Sequence, residues 1–310
     1  MNRHPICTLT MNPALDVASE VERVEPTHKL RCTAPRYDPG GGGINVARVV
    51  HTLGGRATAL YPAGGSTGAM LTDLLHASEI AHHSVPIAGQ TRESFTVNEL
   101  ASGDQYRFVM PGPTLSAGEQ QRCLQALAEV APKPHYLVAS GSLPPGVPPA
   151  FYGDLARAAK NAGVKLILDS SGEALRQAGH EGVYLMKPNK RELSQLVDRP
   201  LDDEQAQLDA AREVIAEQRA EVVVLSLGAE GALLVAADGH ERVPALDVPV
   251  RSAVGAGDTM VGALVWALAC DYSLQEALRW ATAAAAATVM TPGTELCRKD
   301  DVERLYQSLA

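Results

Sequence analysis

Four consecutive residues late in the chain, Gly255, Ala256, Gly257 and Asp258, have the residue types that phosphoryl transfer requires. The apolar residues after them recur at helical spacing, which places the four at the amino terminus of a helix. Unpaired amides and the helix dipole bind anions there, and glycine lets a phosphate approach the backbone. Since a carboxylate beside an anion site is repulsive, we predict that Asp258 is a base that takes a proton from a hydroxyl while the amides stabilise a transferred phosphoryl group. The alternative is an acidic residue that only complements the helix dipole.

Three further motifs have residue types that bind sugars, nucleotides or metal ions. The glycines of residues 40–43 open a second helix, and Asn45 in its first turn can face a ligand; a flexible turn is the alternative. Asn189 and Glu192 share a helical face where a strand gives way to a helix and can hold hydrated Mg²⁺, unless they only cap the helix. Residues 226–231 follow another strand and can meet a nucleotide, although a plain turn explains them equally well.

Composition and charge exclude several classes of protein. The 310 residues are 45% hydrophobic and 20% charged, which is ordinary for a globular protein with one large α/β domain or two domains. The net charge of -9 argues against nucleic-acid binding. Five scattered cysteines without a C-x-x-C motif indicate a reduced, cytoplasmic protein. No apolar run approaches the ~20 residues of a membrane span. The Walker and H-E-x-x-H motifs are absent from the sequence.

The elements that position these motifs follow from hydrophobic periodicity. Over residues 135–227, apolar strands alternate with helices and predict a parallel sheet covered on both faces. Two hairpin-like regions interrupt the alternation earlier in the chain and predict a small projecting sheet. They include a short extended segment at residues 30–34 and a hairpin over residues 95–110. Capping boxes at Ser116 and Ser273 predict the starts of two helices.

Together these motifs resemble the ribokinase-like PfkB family of carbohydrate kinases over nearly the whole chain. The family's carboxy-terminal signature is Gly-Ala-Gly-Asp before a helix, as at residues 255–258, and its amino-terminal signature is a glycine-rich turn leading into an asparagine-bearing helix, as at residues 39–48. Its asparagine and glutamate motif matches Asn189 and Glu192. The resemblance implies an α/β fold, a ribokinase-like three-layer sandwich with a mostly parallel sheet and a small projecting β lid.

Within the family, residues 29–35, 141–146 and 169–175 resemble the minor bacterial 6-phosphofructokinases. That resemblance implies ATP, Mg²⁺ and phosphoryl transfer to the 1-hydroxyl of fructose 6-phosphate, giving fructose 1,6-bisphosphate. The alternatives are a tagatose-6-phosphate kinase or a 1-phosphofructokinase, whose substrates differ only in stereochemistry or phosphate position. A non-catalytic sensor of sugar phosphate is a remote alternative, since a sensor has no need of the base Asp258.

Carried onto this chain, the resemblance assigns site residues in four groups. The catalytic group is Asp258 as base with the amides of Gly255, Ala256 and Gly257. The residues for the sugar phosphate are Asp16, Lys29, Gly41, Gly42, Gly43, Asn45, Arg92 and Ser142. ATP and its Mg²⁺ take Lys187, Asn189, Glu192, Ser226, Gly228 and Gly231, with Glu192 reaching the metal through water or phosphate. A monovalent cation such as K⁺ takes Ser252, Val254, Thr291 and Gly293.

The resemblance also implies one kinase domain over residues 1–310 with a discontinuous lid at approximately residues 16–38 and 90–111. A small, half-apolar sheet cannot bury both of its faces alone. We therefore expect it to close over the sugar phosphate on one side and to form a homodimer contact on the other. Ala253 stands where the family commonly has threonine, and Glu295 where the nearest relative has arginine, which leaves cation selectivity open.

Overall fold

The computed structural model describes residues 2–309, which form two β-sheets and flanking helices. The strands are β1 Ile6–Leu9, β2 Ala14–Val21, β3 Arg36–Gly40, β4 Ala57–Ala63, β5 His82–Pro86, β6 Arg92–Glu99, β7 Gln105–Val109, β8 Tyr136–Ser140, β9 Lys165–Asp169, β10 Val183–Met186, β11 Ala220–Ser226, β12 Ala232–Ala236 and β13 Gly239–Val243. The helices are α1 Gly42–Thr52, α2 Gly65–Ala77, α3 Ala117–Ala128, α4 Phe151–Ala162, α5 Gly172–Glu181, α6 Lys190–Leu196, α7 Glu204–Ala216, α8 Ala256–Ala269, α9 Leu274–Val289 and α10 Lys299–Gln307, with a 3₁₀ turn at Gly228–Glu230.

The large sheet has nine strands in the order β13-β12-β11-β10-β9-β8-β1-β4-β5. Its strands from β11 to β5 run parallel, and only the β11–β12 and β12–β13 pairs are antiparallel. One apolar cluster joins this sheet to α1, α2, α8, α9 and α10, and a second joins its other face to α3, α4, α5, α6 and α7. The predicted three-layer arrangement is therefore confirmed, and the apolar strands are buried because both faces carry helices.

The small sheet has four strands in the order β3-β2-β6-β7. Strands β2 and β6 pair in parallel and so join the two predicted hairpin-like regions. The predicted strand at residues 30–34 is wrong, because that exposed segment lies outside the ladder and the strand forms at Arg36–Gly40. Thr33 holds the segment to β2, since its amide donates to the Glu20 carbonyl at 2.9 Å. Whether this sheet acts as a lid stays a prediction.

The parallel order brings the functional motifs to one edge of the large sheet. The carboxyl ends of parallel strands meet at the same edge, where open α/β sheets bind their ligands. Here that edge carries the segments after β1, β8, β9, β10 and β11 and the amino termini of α1 and α8. Among the described residues, no helix is both long enough and apolar enough to cross a bilayer.

Candidate active site

The amino terminus of α8 forms the anion-binding end of the site. Gly255 precedes the helix with φ +78°, and a Cβ built there would lie 2.8 Å from Cδ2 of Leu296, so this position requires glycine. The Thr259 amide donates the first regular helical bond, to the Gly255 carbonyl at 2.8 Å. The amides of Gly257 and Asp258 lie ahead of that bond, at the positive end of the helix dipole. The predicted helix start is confirmed, and the geometry suits an anion such as a phosphoryl group.

Asp258 lies half-buried in the first turn of α8. Its Oδ2 accepts a hydrogen bond from Nδ2 of Asn45 at 2.8 Å, which joins the amino termini of α8 and α1. Burial, and then the charge of Asp169, raise the pKa of Asp258 from its ordinary 3.8 to about 6, against the opposing Asn45 hydrogen bond and Lys187 charge. A carboxylate with this pKa is ionised at neutral pH and more basic than an exposed aspartate, which suits a general base.

Asp169 and Lys187 form a largely buried ion pair beside this carboxylate. The Lys187 Nζ lies 3.1 Å from Oδ1 of Asp169, at the ends of neighbouring strands β10 and β9. Burial lowers the pKa of Lys187, but the charge of Asp169 raises it, and the net effect is a rise. The ammonium is therefore charged. It faces the mouth of α8, because a Cβ built on Gly257 would lie 3.8 Å from its Nζ. Asp169 is missing from the sequence-based site residues, although an acidic residue directly after a buried strand is a usable signal.

Asn189 and Glu192 cap α6 reciprocally. The Glu192 amide donates to Oδ1 of Asn189 at 2.9 Å, and the Asn189 amide donates to Oε2 of Glu192 at 2.8 Å. Both residues therefore cap the helix, and this arrangement leaves Oε1 of Glu192 without a hydrogen bond inside residues 2–309. Among the described residues, no group of three or more His, Cys, Asp or Glu side chains is placed to hold a metal ion.

The predicted nucleotide segment divides into an open and a packed part. Ser226 bridges to Asn189, and its amide donates to the Pro188 carbonyl at 3.0 Å, so the two segments meet at the sheet edge. A Cβ on Gly228 would meet no atom within 4 Å, whereas one on Gly231 would lie 2.1 Å from the Val243 carbonyl oxygen. Gly228 thus faces open space, and close packing alone accounts for Gly231.

The glycines before α1 allow close packing against strand ends. Gly41 has φ +112° and is the residue just before the helix. A Cβ on Gly42 would lie 2.3 Å from Oγ of Ser140, and one on Gly43 would lie 2.7 Å from the Leu9 carbonyl oxygen. The segment is therefore a tightly packed entry to α1 and not a flexible turn. Gly43 is buried, so packing accounts for it without a sugar contact.

Arg92 and Ser142 both contact a residue that the sequence did not single out, Asn12, and the charge of Arg92 also acts on Asp16. The Arg92 Nη2 donates to the Asn12 carbonyl at 3.1 Å and Nη1 donates to the Met110 carbonyl at 3.2 Å. The Asn12 side chain donates to Oγ of Ser142 at 3.1 Å. Burial raises the pKa of Asp16 to about 6, although the Arg92 charge opposes the rise. The only sequence signal for Asn12 is its place directly after the buried strand β1.

The guanidinium of Arg92 is half-buried and has unused donor capacity. No carboxylate of residues 2–309 forms an ion pair with it, and its buried Nε has no hydrogen-bond partner. Lys29, by contrast, lies on the exposed segment before β3 and makes no side-chain hydrogen bond or ion pair in the described structure. The structure therefore gathers the predicted sugar-phosphate residues except Lys29.

The predicted cation residues lie in two adjacent segments. Ser252 Oγ donates to the Gly293 carbonyl at 2.8 Å, and the Val254 amide donates to Ser252 Oγ at 3.2 Å. Thr291 Oγ1 donates to the Thr288 carbonyl at 2.7 Å. The side chain of Gln105 on β7 reaches Ser252 Oγ at 3.3 Å, which links the small sheet to these segments.

The carboxylate of Glu295 faces arginines and not the cation segments. It accepts from Nη2 of Arg298 at 2.8 Å, and its Oε2 lies 3.6 Å from Nη1 of Arg36. This departure from the family pattern is therefore electrostatically compensated. Ala253 is exposed, and the hydrogen bond from the Val254 amide to Oγ of Ser252 forms on either side of it.

Residues 8–301 match the pfkB family of carbohydrate kinases. The chain is 50% identical over 305 residues to the ATP-dependent 6-phosphofructokinase isozyme 2 of Mycobacterium tuberculosis, an alignment that covers 98% of this chain and 90% of that protein. Among solved structures, phosphofructokinase-2 from Escherichia coli in complex with fructose-6-phosphate is similar with a TM-score of 0.94 and 43% identity, covering 99% of both chains. The same enzyme in complex with potassium is similar with a TM-score of 0.95 and 44% identity, again covering 99% of both chains.

Proposed function

The chain belongs to the pfkB family of carbohydrate kinases, and from that premise we propose that it transfers the γ-phosphoryl group of ATP to the 1-hydroxyl of fructose 6-phosphate. The observation that carries the proposal is the amino terminus of α8, where the Asp258 carboxylate has a raised pKa and lies in the first turn beside the backbone amides of the helix start. A base and an anion site on one helix terminus are what phosphoryl transfer to a hydroxyl requires.

In the proposed mechanism, Asp258 accepts the proton of the 1-hydroxyl as the oxygen attacks the γ-phosphorus, and the bond to the bridging oxygen breaks so that ADP leaves. The hydrogen bond from Asn45 holds the carboxylate in place. The amides of Gly255 and Gly257 stabilise charge on the transferred group, and the ammonium of Lys187 adds a positive charge beside them. The Ala256 amide would join them by exchanging its 3.5 Å hydrogen bond to the Ala253 carbonyl for one to the phosphoryl group. Each of these groups is fixed before the substrate arrives, so little reorganisation accompanies transfer.

The preference for a sugar phosphate comes from Arg92. Its guanidinium is already partly desolvated, has no carboxylate partner within residues 2–309, and has a buried Nε without a hydrogen-bond partner there. Arginine binds phosphate through two parallel hydrogen bonds, which would satisfy that donor. The sugar hydroxyls are then surrounded by Asp16, Gly41, Gly42, Asn45 and Ser142. Lys29 approaches the phosphate only when its exposed segment folds over the site.

ATP and Mg²⁺ are assigned to the edge formed by β9, β10 and β11. The nucleotide would be bordered by Asn189, Ser226 and Gly228, and Oε1 of Glu192 would hold the metal through water or phosphate. Mg²⁺ in kinases keeps most of its ligands as waters and substrate phosphates, so a single protein carboxylate with a spare oxygen fits. When bound, the metal neutralises the phosphate charge that develops during transfer.

Potassium is the proposed monovalent cation, since the E. coli relative has been solved in complex with it. The candidate ligands are oxygens of Ser252, Val254, Thr291 and Gly293. The Gly293 carbonyl accepts a hydrogen bond from Ser252, but a carbonyl oxygen has a second lone pair for a cation. When bound, the cation would order the loop that precedes α8.

We propose a homodimer through the small sheet, which would serve as both lid and subunit contact. Its edge strand β7 leaves Phe108 52% and Val109 61% exposed, and the adjacent Met110 is 44% exposed. Tyr37 on the opposite edge strand is exposed as well. An apolar surface of this kind is typical of an interface, and the occupant that we assign to it is a second copy of the chain.

The test is an ADP-release assay in which the purified protein receives ATP and Mg²⁺ with one acceptor at a time. The acceptors are fructose 6-phosphate, fructose 1-phosphate, tagatose 6-phosphate and free fructose. We expect the highest kcat/KM for fructose 6-phosphate. A higher value for another sugar phosphate would refute the substrate, and no ADP release with any acceptor would refute kinase activity.

A further inference from the structure

Arg48 is a largely buried arginine that the mechanism above does not use. It lies on α1 one turn after Asn45, and its side chain is 18% exposed. Its Nη1 donates to Oδ1 of Asn45 at 3.2 Å. The other end of the same amide, Nδ2, donates to Oδ2 of Asp258 at 2.8 Å. One amide therefore stands between a permanent cation and the proposed base.

The direction of the Asn45 amide follows from the chemistry of its neighbours. A guanidinium has donors and no acceptor, so it can face only the amide oxygen. That leaves the amide N–H for Asp258, and an N–H donor stabilises the ionised, basic form of a carboxylate. If the amide turned over, its oxygen would face Asp258 and would favour the protonated carboxyl. In the described structure, no other side chain donates to Oδ1 of Asn45.

The far side of Arg48 is anchored so that the guanidinium keeps its place. Nη1 also donates to the Pro39 carbonyl at 3.0 Å, and Nη2 lies 3.3 Å from Oδ1 of Asp38. The other oxygen of Asp38 accepts from Nε of Arg36 and from Oγ1 of Thr294, each at 2.8 Å. Through Asp38, Arg48 is therefore tied to strand β3 of the small sheet and to the loop after α9.

Other charged groups also act on the residues of the Arg48–Asn45–Asp258 hydrogen bonds. Asp258 is influenced by the charges of Asp169, Lys187 and Arg107. The guanidinium of Arg48 is influenced by the charges of Asp38, Asp16 and Arg36. None of these six side chains makes a hydrogen bond to Asn45 in the part of the chain that the structure describes, so they cannot set the direction of its amide.

We propose that Arg48 is a positioning residue that fixes the orientation of the Asn45 amide and thereby keeps Asp258 in its proton-accepting form. This inference rests on the proposed role of Asp258 as the base. It assigns Arg48 no contact with substrate. The proton-accepting form of Asp258 then also depends on the position of β3, and so on the position of the small sheet.

The test is a double-mutant cycle on kcat with the variants Arg48→Met, Asn45→Ala and the double substitution. We expect Arg48→Met alone to lower kcat at least about tenfold, and to add less than about twofold once Asn45 is already alanine. The low-pH limb of the kcat profile should move upward by about one pH unit in Arg48→Met. Arg48→Lys, which keeps a donor and the charge, should recover part of the loss. Arg157→Met removes an exposed arginine paired with Glu181 on the far helices and should change neither quantity.

A second readout does not depend on turnover. In the unliganded protein, ¹³C NMR of labelled aspartate, assigned with Asp258→Asn, should report a higher Asp258 pKa in Arg48→Met than in the wild type. An equal loss of kcat in both backgrounds with an unmoved Asp258 pKa would overturn the inference. If the wild type accepts another sugar phosphate, the cycle applies to that acceptor, and if it accepts none, the NMR titration alone decides. Failure of the proposed function is thus separate from failure of the inference.

Discussion

Replacing Asp258 by asparagine should produce two opposite effects, a loss of turnover and a gain of stability. Asparagine keeps the shape and most of the hydrogen-bonding reach of the side chain but cannot accept a proton. General-base catalysis contributes typically ~10²–10⁴ in rate, so kcat should fall by about that factor with little change in KM for either substrate.

The gain in stability follows from the direction of the Asp258 pKa. Burial raises this pKa from 3.8 to about 6 in the folded protein, so the folded state binds more protons than the unfolded state between these two values. Stability is therefore lost as the pH rises through that window, and the full penalty is present above it. A shift of roughly two units corresponds to at most about 3 kcal/mol, and with solvent screening of the half-buried group we expect about 1–2 kcal/mol from Asp258→Asn near pH 8.

The assay pairs steady-state kinetics with urea unfolding of the unliganded protein near pH 8 and near pH 4. The stability gain should be present at the higher pH and largely absent at the lower. Asp154→Asn, on an aspartate whose side chain is 59% exposed, is the matched control and should leave kcat unaltered. Retention of more than about a tenth of wild-type kcat would refute the base assignment, and a stability loss near pH 8 would refute the electrostatic argument.

Three further substitutions test the sugar-phosphate residues, the metal site and the subunit contact. Arg92→Ala should cost about 2–5 kcal/mol in kcat/KM for fructose 6-phosphate and little for free fructose; an equal loss on both sugars would mean that Arg92 supports only the fold. Glu192→Gln keeps an oxygen that can cap α6, so the melting temperature should not fall. The Mg²⁺ concentration needed for half-maximal rate should rise about tenfold. An unchanged Mg²⁺ requirement would remove Glu192 from the metal site. Phe108→Asp should convert a dimer to monomers in light scattering, and a dimer that persists would place the contact elsewhere.

The sequence predicts local features of the site well, because their causes are local. The glycines and helical periodicity around Asp258 predict the amino terminus of α8, and the structure has the helix there. The capping boxes at Ser116 and Ser273 form as predicted, since each needs only residues three apart. Apolar strands alternating with helices likewise predict the parallel sheet, because burial on both faces requires that pattern.

Contacts between distant segments are what the sequence does not reveal. Asn45 and Asp258 are 213 residues apart, and no periodicity reports that they meet. Asn12 resembles a strand terminator until its neighbours are known. The error at residues 30–34 has the same origin, because an apolar-rich exposed segment looks extended although the chain forms its strand at Arg36–Gly40. Pairing in a sheet is decided by partners far away in sequence.

The most direct test of the central claim is the position of the transferred phosphate. The purified protein would be given fructose 6-phosphate, ATP and Mg²⁺, and the product followed by ³¹P NMR. We predict a new phosphate ester on the 1-hydroxyl with equimolar ADP, and no such signal with Asp258→Asn on the same timescale. Transfer to another hydroxyl, or ADP formation without a new sugar ester, would contradict it.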